Sequence, residues 1–322
     1  MTLAPIGLFA YNRADYIERA LRALAKCPEL AQSKLVIYCD GPKSEAGRAK
    51  TDAARKAARA HAPAYAIFVE REQNLGLRRS MRTGVTELCN QHGRAIILED
   101  DLEVSPTFLR FMNDALDHYA DAPNVYQVSG YMFPMDIRGP TDAMLLPVTS
   151  AWGWAVWKRS WDNLDSGARL YDRLVADRAL RHRFDLDGGY PYFDMLEKQQ
   201  RGEVDSWAIG WYADMFANDA LVLYPRESQV ANRGHDGSGT HGETRSPFES
   251  DAHERIVQTF PPPVRDDAAW RQLCAYIKRE HRRARIAGLR GAVLERVSKV
   301  VERAPPSVRR VAERVLARLV RR

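Results

Sequence analysis

Short apolar runs alternate with amphipathic helical segments in the N-terminal part of the chain. The apolar runs predict four strands, over Ile6 to Ala10, Lys34 to Cys39, Tyr65 to Val69 and Arg94 to Leu98. Between them, apolar residues spaced three and four apart predict helices over Asp15 to Lys26, Lys43 to His61 and Leu77 to Gln91. This alternation predicts an α/β fold with a mostly parallel sheet, right-handed crossovers and a ligand crevice at the carboxyl ends of the strands.

A polar cluster follows each of these predicted strands. Tyr11-Asn12-Arg13, Asp40-Gly41-Pro42 and the segment from Arg71 to Asn74 are each compatible with a simple turn. Glu99-Asp100-Asp101 is unusual, because three adjacent carboxylates repel one another unless a cation such as a hard divalent metal neutralises them. A solvated loop after an ordinary strand is the alternative. The shared position of the four clusters favours a ligand site.

The second half of the chain is richer in aromatic residues and glycine. Apolar runs predict strands over Val125 to Gly130 and Leu221 to Pro225, and most of the alternating tryptophans from Ser150 to Trp157 are expected to fill a core. Asp205 stands just before a helical pattern, the position of an N-cap. Glycine and small polar residues from Asn232 to Gly242 predict a loop.

Charge is distributed unevenly along the 322 residues. From Arg282 to Arg322 there are 13 Arg or Lys and three Glu, a net charge of +10, so the preceding 281 residues carry −4 of the total +6. A mildly acidic body argues against nucleic-acid binding, which needs a basic surface. With 45% hydrophobic and 28% charged residues, the composition is that of an ordinary globular protein.

Cysteine spacing and the N-terminal sequence indicate a cytoplasmic protein. The four cysteines lie far apart without CxxC or Cys/His spacing, so neither a disulfide framework nor a zinc site is expected; they are Cys27, Cys39, Cys89 and Cys274. The first residues lack the pattern of a secretory signal, and no apolar run is long enough to span a membrane. We therefore expect reduced thiols and a cytoplasmic protein, unless a segment of the chain attaches it to a membrane surface.

The basic C-terminal segment contains two amphipathic helical patterns. One apolar stripe runs from Ile286 to Val301 and the other from Val308 to Val320, with arginines on the opposite faces. Such helices suit the surface of an anionic membrane, and packing on the acidic body or on another subunit is the alternative. Residues 261–322, which begin with three prolines, are expected to form a helical, basic extension.

Four segments in this order resemble the nucleotide-sugar half of GT-A glycosyltransferases. They are Ile6 to Arg13, Asp40-Gly41-Pro42, Asn74-Leu75-Gly76-Leu77 and Leu98 to Pro106. The similarity is to bacterial family 2-like enzymes and to the animal N-acetylglucosaminyltransferase I type, whose strand ends in Glu-Asp-Asp. It covers residues 4–242 and implies a Rossmann-like GT-A sheet flanked by helices. The nucleotide-sugar-binding half would be 1–125 and the acceptor and catalytic half 126–260.

The resemblance implies roles for individual residues. Asp101 would contact a Mn²⁺ or Mg²⁺ ion as the acid of a DXD-type motif, and the ion would stabilise the leaving nucleoside diphosphate, for example UDP. His241 in the glycine-rich loop is the second expected metal ligand, ahead of His235. The donor would be held by Ala10, Tyr11, Asn12, Arg13, Asp40, Asn74, Arg78, Glu99 and Asp100, and the sugar or the acceptor by Trp152 and Gly153.

Asp205 is the expected catalytic base. The family places an acidic residue at the start of such a helix, where it takes the proton from the acceptor hydroxyl. Glu203 is the competing candidate. The sequence departs here from the family 2 pattern, in which a carboxylate pair precedes a Gln/Arg-x-x-Arg-Trp segment.

These expectations combine into one function and two alternatives. The function is a metal-dependent, inverting transferase that moves a hexosyl or N-acetylhexosaminyl group from a nucleoside diphosphate sugar to a glycan or lipid-linked glycan hydroxyl, in polysaccharide biosynthesis at the inner face of a bacterial membrane. A sugar-nucleotide nucleotidyltransferase would carry a glycine-rich basic loop directly after the first strand, where Ala10-Tyr11-Asn12-Arg13 stands. A non-catalytic membrane-associated scaffold would leave the acidic cluster and Asp205 without a purpose.

Overall fold

The strands and helices follow the sequence pattern closely in the first half of the chain. A computed structural model describes residues 2–164, 170–235 and 247–302, with side chains as far as residue 286. Its strands are β1 (Ile6–Ala10), β2 (Leu35–Cys39), β3 (Ile67–Glu70), β4 (Arg94–Glu99), β5 (Leu102–Val104), β6 (Val125–Ser129), β7 (Ala143–Leu146), β8 (Trp154–Trp157), β9 (Leu221–Pro225) and β10 (Val230–Asn232).

Helices connect these strands and cover the sheet. They are α1 (Ala14–Leu24), α2 (Arg48–His61), α3 (Leu77–His92), α4 (Phe108–His118), α5 (Lys158–Trp161), α6 (Leu170–Ala176), α7 (Arg178–Phe184), α8 (Tyr192–Gln200), α9 (Trp207–Ala217) and α10 (Asp267–Glu302), with short 3₁₀ helices over Pro28–Gln32 and Glu45–Gly47.

Eight of the described strands form one sheet, in the order β3-β2-β1-β4-β8-β6-β9-β7. The first four are parallel neighbours, and β8 runs antiparallel between β4 and β6. β9 is parallel to β6, and β7 is antiparallel at the far edge. Most strands therefore point the same way, which confirms the predicted α/β fold with a mostly parallel sheet and flanking helices.

The sheet separates two apolar cores. In β1, Ile6 and Leu8 face the core that also contains Ile17 and Leu21 of α1, whereas Phe9 faces the opposite core. Side chains alternate between the faces of a strand, so a strand that is covered on both faces is apolar at every position. This is why the predicted strands are continuous apolar runs, and each fully buried Leu or Ile contributes about 1.5–3 kcal/mol.

A small second sheet closes over the carboxyl end of β4. β5 follows directly after the three carboxylates and pairs antiparallel with β10, with Leu102 opposite Asn232. The pairing joins residues that are far apart in sequence and brings the start of the glycine-rich loop beside Asp101.

The first turns of α10 belong to the body of the protein. Leu273 and Ile277 are buried in the same core as residues of α3 and α9. Part of the range 261–322, which is predicted to form a helical extension, is therefore packed into the core. The apolar stripe from Val308 to Val320 lies outside the described residues, and no described helix is long and apolar enough to cross a membrane.

Candidate functional site

The carboxyl ends of β1 and β4 are neighbours, which joins two of the predicted polar clusters. Phe9 of β1 lies opposite Glu99 of β4 in a parallel register. The residues that follow each strand therefore leave the sheet side by side. As a result, the Tyr11-Asn12-Arg13 segment meets Asp100 and Asp101 at the edge where parallel sheets bind their ligands.

Arg13 forms ion pairs with two carboxylates of the acidic cluster. Its Nη2 lies 2.5 Å from Asp100 Oδ1 and 2.9 Å from Asp101 Oδ2. The backbone N–H of Tyr11 also donates to Asp100 Oδ2, at 3.2 Å. The cation expected beside the carboxylates is thus in part a side chain of the protein itself, a contact that the sequence did not predict. Asn12 is half-buried beside this bridge, and Ala10 is buried at the end of β1.

One guanidinium does not compensate three carboxylates, and burial resolves part of the imbalance. Burial, together with the charges of Asp101 and Asp100, raises the pKa of Glu99 to about 8. Burial also raises the pKa of Asp100 to about 6, against the lowering effect of Arg13. Burial alone would lower the pKa of Arg13, but the charges of Asp100 and Asp101 raise it above its ordinary value. Burial therefore favours the protonated form of Glu99, which reduces the negative charge that Arg13 has to balance.

The guanidinium of Arg13 has unused hydrogen-bonding capacity. Its Nη1 is buried and has no hydrogen-bond partner among the described residues. An unsatisfied buried N–H costs free energy unless a ligand or a water accepts from it. An anionic ligand at the end of β1 would supply that acceptor.

The glycine-rich loop begins in contact with Asp101. The N–H of Arg233 donates to the backbone oxygen of Asp101 at 2.9 Å. A Cβ atom at Gly234 would lie 2.4 Å from Asp101 Oδ2, so any other residue would require the Asp101 carboxylate or the chain to shift. The chain therefore passes close to the Asp101 carboxylate at Gly234 and continues to His235.

His235 and Trp152 lie together above this point. Their rings pack edge to face with centroids 5.5 Å apart, and His235 Nε2 is buried without a described hydrogen-bond partner. Gly153 has φ of +63°, and a Cβ there would lie 2.8 Å from Val230 Cγ2, so this position requires glycine. The structure thus brings Trp152 and Gly153 next to the loop that follows β10.

Asp40 and Asn74 organise a second loop at the same edge. Both carboxylate oxygens of Asp40 accept backbone N–H groups, from Gly41 at 3.0 Å, Leu75 at 2.9 Å and Gly76 at 3.0 Å. Asn74 Nδ2 donates to the Gly41 oxygen at 2.8 Å. These bonds fix the start of α3 against the end of β2. The predicted contacts of Asp40 and Asn74 with the donor stay predictions.

This second loop is joined to the end of β1. The N–H of Asp40 donates to the Ala10 oxygen at 3.0 Å, and the N–H of Lys43 donates to the Tyr11 hydroxyl at 3.3 Å. Ala10 to Arg13 and the Asp40 loop therefore form one continuous surface, as the shared position of the polar clusters predicted.

The two candidate bases have different surroundings. Asp205 Oδ1 lies 3.2 Å from Arg78 Nη1, at the start of α3, whereas Glu203 pairs with Arg201 at 2.8 Å. The expectation that Asp205 occupies the N-cap position is wrong, because Ser206 is the N-cap of α9 and its hydroxyl accepts from the N–H of Ile209 at 3.5 Å. Asp205 is therefore free of the capping role and contacts Arg78 of α3 instead.

The side chains at this edge are compatible with a divalent cation that takes only a few of its ligands from the protein. Among the described residues, no three His, Cys, Asp or Glu side chains are grouped so as to hold a metal. A carboxylate oxygen of Asp101 and the unpartnered Nε2 of His235 are nonetheless ligand types that Mn²⁺ accepts. A diphosphate would have to complete the coordination. The other predicted ligand, His241, lies outside the described residues.

A large cavity elsewhere in the protein does not coincide with this chemistry. It has a volume of about 760 Å³ and lies at the opposite edge of the sheet, near Asn124, Leu221 and Trp270. Charge and hydrogen-bonding geometry, rather than cavity size, therefore identify the edge that carries Asp100 and Asp101 as the candidate site.

Comparison with known proteins gives distant structural similarities only. No protein-family model and no curated protein matches this chain. The mannosyltransferase PcManGT from Pyrobaculum calidifontis, solved with GDP-Man and Mn²⁺, is similar at 17% identity with a TM-score of 0.33, over 48% of this chain and 45% of that one. GalNAc-T7, solved with UDP, GalNAc and Mn²⁺, is similar at 11% identity with a TM-score of 0.44, over 74% of this chain and 46% of that one. This chain thus covers less than half the length of either protein.

Proposed function

We propose that the protein is a metal-dependent GT-A glycosyltransferase that transfers a hexosyl or N-acetylhexosaminyl group from a nucleoside diphosphate sugar to a glycan or lipid-linked glycan hydroxyl. One observation carries the proposal. At the carboxyl edge of the parallel strands, Arg13 bridges Asp100 and Asp101, and Gly234 lies against Asp101. The site combines carboxylate oxygens with an unsatisfied guanidinium N–H, which suits a ligand that is anionic and carries a cation.

The residues divide the binding of the donor among them. Asp101 and His235 would hold the metal, which supplies electrostatic stabilisation of the leaving nucleoside diphosphate. Arg13 Nη1 would donate to an oxygen of the donor, and Tyr11 would line the nucleoside pocket beside the Asp40 loop. Trp152 would border the sugar, because its ring packs on that of His235.

Asp205 supplies the base for a single displacement. Its carboxylate accepts the proton of the acceptor hydroxyl while the acceptor oxygen forms a bond to the anomeric carbon. The bond from that carbon to the phosphate oxygen breaks at the same time, and the nucleoside diphosphate leaves with the electron pair. Attack opposite the leaving group inverts the anomeric configuration. The exposure of Asp205 supports this role, since a base that serves an incoming acceptor has to be accessible.

Binding measurements with a donor panel test the proposal. We expect UDP-, TDP- or GDP-sugars to bind the wild-type protein in the presence of Mn²⁺ or Mg²⁺, measured by calorimetry. Asp101→Ala should weaken that metal-dependent binding at least about tenfold, the loss of one charged contact. Asp114→Ala, which removes an exposed carboxylate paired with Arg110 on α4, is the control and should bind normally. If no sugar nucleotide binds under any metal condition, the proposed function is wrong; metal-dependent turnover by Asp101→Ala would overturn the metal assignment alone.

The products of the reaction distinguish a nucleotidyltransferase. That activity would consume a nucleoside triphosphate and a sugar phosphate and release pyrophosphate, whereas a glycosyltransferase releases a nucleoside diphosphate. The segment after β1 supports the glycosyltransferase, because Tyr11 and Arg13 turn to Asp100 and Asp101 and there is no run of glycines there to wrap a triphosphate. Phosphate analysis of the products separates the two.

We also propose that the basic segment 282–322 places the enzyme on the inner, anionic face of a membrane, where a lipid-linked acceptor would be available. Its net charge of +10 supports this, because each Lys or Arg near an anionic surface contributes about 1 kcal/mol. Binding to vesicles with anionic lipid should therefore be lost when residues 282–322 are deleted. Full binding by the truncated protein would eliminate the anchoring role.

A further inference from the structure

The contact between Arg78 and Asp205 joins two residues that the reaction needs in different places. Arg78 stands in the first turn of α3, directly after the loop whose N–H groups at Leu75 and Gly76 bind the Asp40 carboxylate. These bonds fix the loop to the carboxyl edge of the sheet, where the sugar nucleotide is proposed to bind. Asp205 stands just before α9 in the acceptor half. The pair therefore spans the two halves of the proposed active site.

The contact between Arg78 and Asp205 is weak enough for Arg78 to exchange it for another partner. One nitrogen and one oxygen meet at 3.2 Å, and the two side chains are 42% and 71% exposed. Among the described residues, neither side chain makes a further hydrogen bond or ion pair. An exposed pair with a single contact contributes about 0–1 kcal/mol, whereas a guanidinium gains more from the multiply charged oxygens of a diphosphate.

We propose that Arg78 is a switch between the base and the donor. Without donor, Arg78 holds the Asp205 carboxylate; with donor bound, Arg78 turns to the diphosphate and releases Asp205 to accept a proton from the acceptor. This inference rests on the proposed function, in which Asp205 is the base and a diphosphate binds at the carboxyl edge. It makes Arg78 a positioning residue that couples binding of the donor to readiness of the base.

The switch has a consequence for affinity that a purely catalytic Asp205 would not have. Asp205 competes with the diphosphate for Arg78, so removing its charge should strengthen nucleotide binding while it abolishes transfer. The competing contact is worth about 0.2–1 kcal/mol, which converts to a gain of roughly 1.4- to fivefold in affinity. The gain requires Arg78, because only Arg78 is released.

Calorimetric titration with UDP, TDP and GDP, each with Mn²⁺, tests the switch in the full-length protein. The variants are Asp205→Asn, Arg78→Gln and the double variant. We expect Asp205→Asn to bind the nucleotide roughly 1.4- to fivefold more tightly and Arg78→Gln to bind it more weakly. In the Arg78→Gln background, Asp205→Asn should have no further effect, so that the two changes are not additive.

A matched control separates the switch from a general loss of negative charge. Glu197→Gln removes another exposed carboxylate of the same region, which pairs with Arg201 instead of Arg78, and it should leave nucleotide affinity unchanged. Unchanged affinity in Asp205→Asn, or equal gains with and without Arg78, would overturn the switch and leave the proposed function standing. If none of the three nucleotides binds the wild-type protein, the proposed function fails, and the switch fails with it.

Discussion

Two arginine–carboxylate contacts at the same edge of the sheet differ in burial and in what they can do. Arg13 bridges Asp100 and Asp101 with the three side chains only 21%, 6% and 17% exposed. Arg78 meets Asp205 through one contact, and their side chains are 42% and 71% exposed. A buried bridge is costly to break, whereas an exposed pair is close to neutral in free energy. The first can therefore fix the proposed donor site in place, and the second can exchange its partner, as the proposed switch requires.

The largest effect should come from removing the buried bridge. Arg13→Ala leaves Asp100 and Asp101 without their compensating charge, so we expect the free energy of unfolding to fall by about 3–5 kcal/mol. Urea denaturation of the metal-free protein measures this loss. Arg110→Ala, which breaks the exposed pair with Asp114, should cost less than about 1 kcal/mol. If Arg13→Ala is as stable as Arg110→Ala, the bridge is not what holds this edge together.

The burial of Glu99 beside Asp100 and Asp101 should make the free energy of unfolding depend on pH. The pKa of Glu99 is about 8 in the folded protein, above its ordinary value of 4.5, so between these values the folded state holds a proton that the unfolded state has lost. Stability in the absence of metal should therefore fall as pH rises from about 5 to 8, by at most about 1.4 kcal/mol per pH unit for one proton.

Glu99→Gln isolates this contribution from that of other titrating groups. Glutamine has no proton to lose, so the variant should show a flatter stability profile over the same interval. Superimposable profiles of the variant and the wild-type protein would show that burial does not protonate Glu99.

The contact between Gly234 and Asp101 ties the glycine-rich loop to the Arg13–Asp100–Asp101 bridge. In Gly234→Ala the added Cβ meets Asp101 Oδ2 and displaces the start of the loop. We expect metal-dependent nucleotide binding to weaken about tenfold, about 1.4 kcal/mol, with stability little changed because Gly234 itself is partly exposed. Gly47→Ala, where the nearest atom is 3.8 Å from the new Cβ, is the control. Normal binding by Gly234→Ala would remove this contact from the site.

The sequence was sufficient to predict where Arg13, Asp100 and Asp101 meet but not how they are bonded to one another. The apolar runs of β1, β2 and β4 predict a parallel sheet, and a parallel sheet brings Arg13, Asp40 and Asp101 to one edge. The bridge from Arg13 joins residues almost ninety positions apart, and no local pattern reports such a contact. The same is true of the pairing of β5 with β10, which brings Gly234 to Asp101.

Local competition between neighbouring residues explains another difference. Asp205 and Ser206 both have side chains that cap helices, and their order in the sequence does not tell which of them does so. The structure selects Ser206, since its N–H is held by Gln199 Oε1 at 2.9 Å and its hydroxyl faces the N–H of Ile209. This leaves Asp205 in solvent beside Arg78.

The smallest effect on stability should come from breaking the exposed pair. Arg78→Gln removes one contact between two solvated side chains, so we expect the free energy of unfolding to change by less than about 1 kcal/mol in urea denaturation. Asp205→Asn should give a similarly small change, and raising the salt concentration should reduce both because exposed charges are screened. A loss of more than 2 kcal/mol in either variant would be inconsistent with this weak pairing. The pair would then be a structural tie between α3 and the start of α9, and a contact that costs so much to break could not be exchanged for a diphosphate in each catalytic cycle.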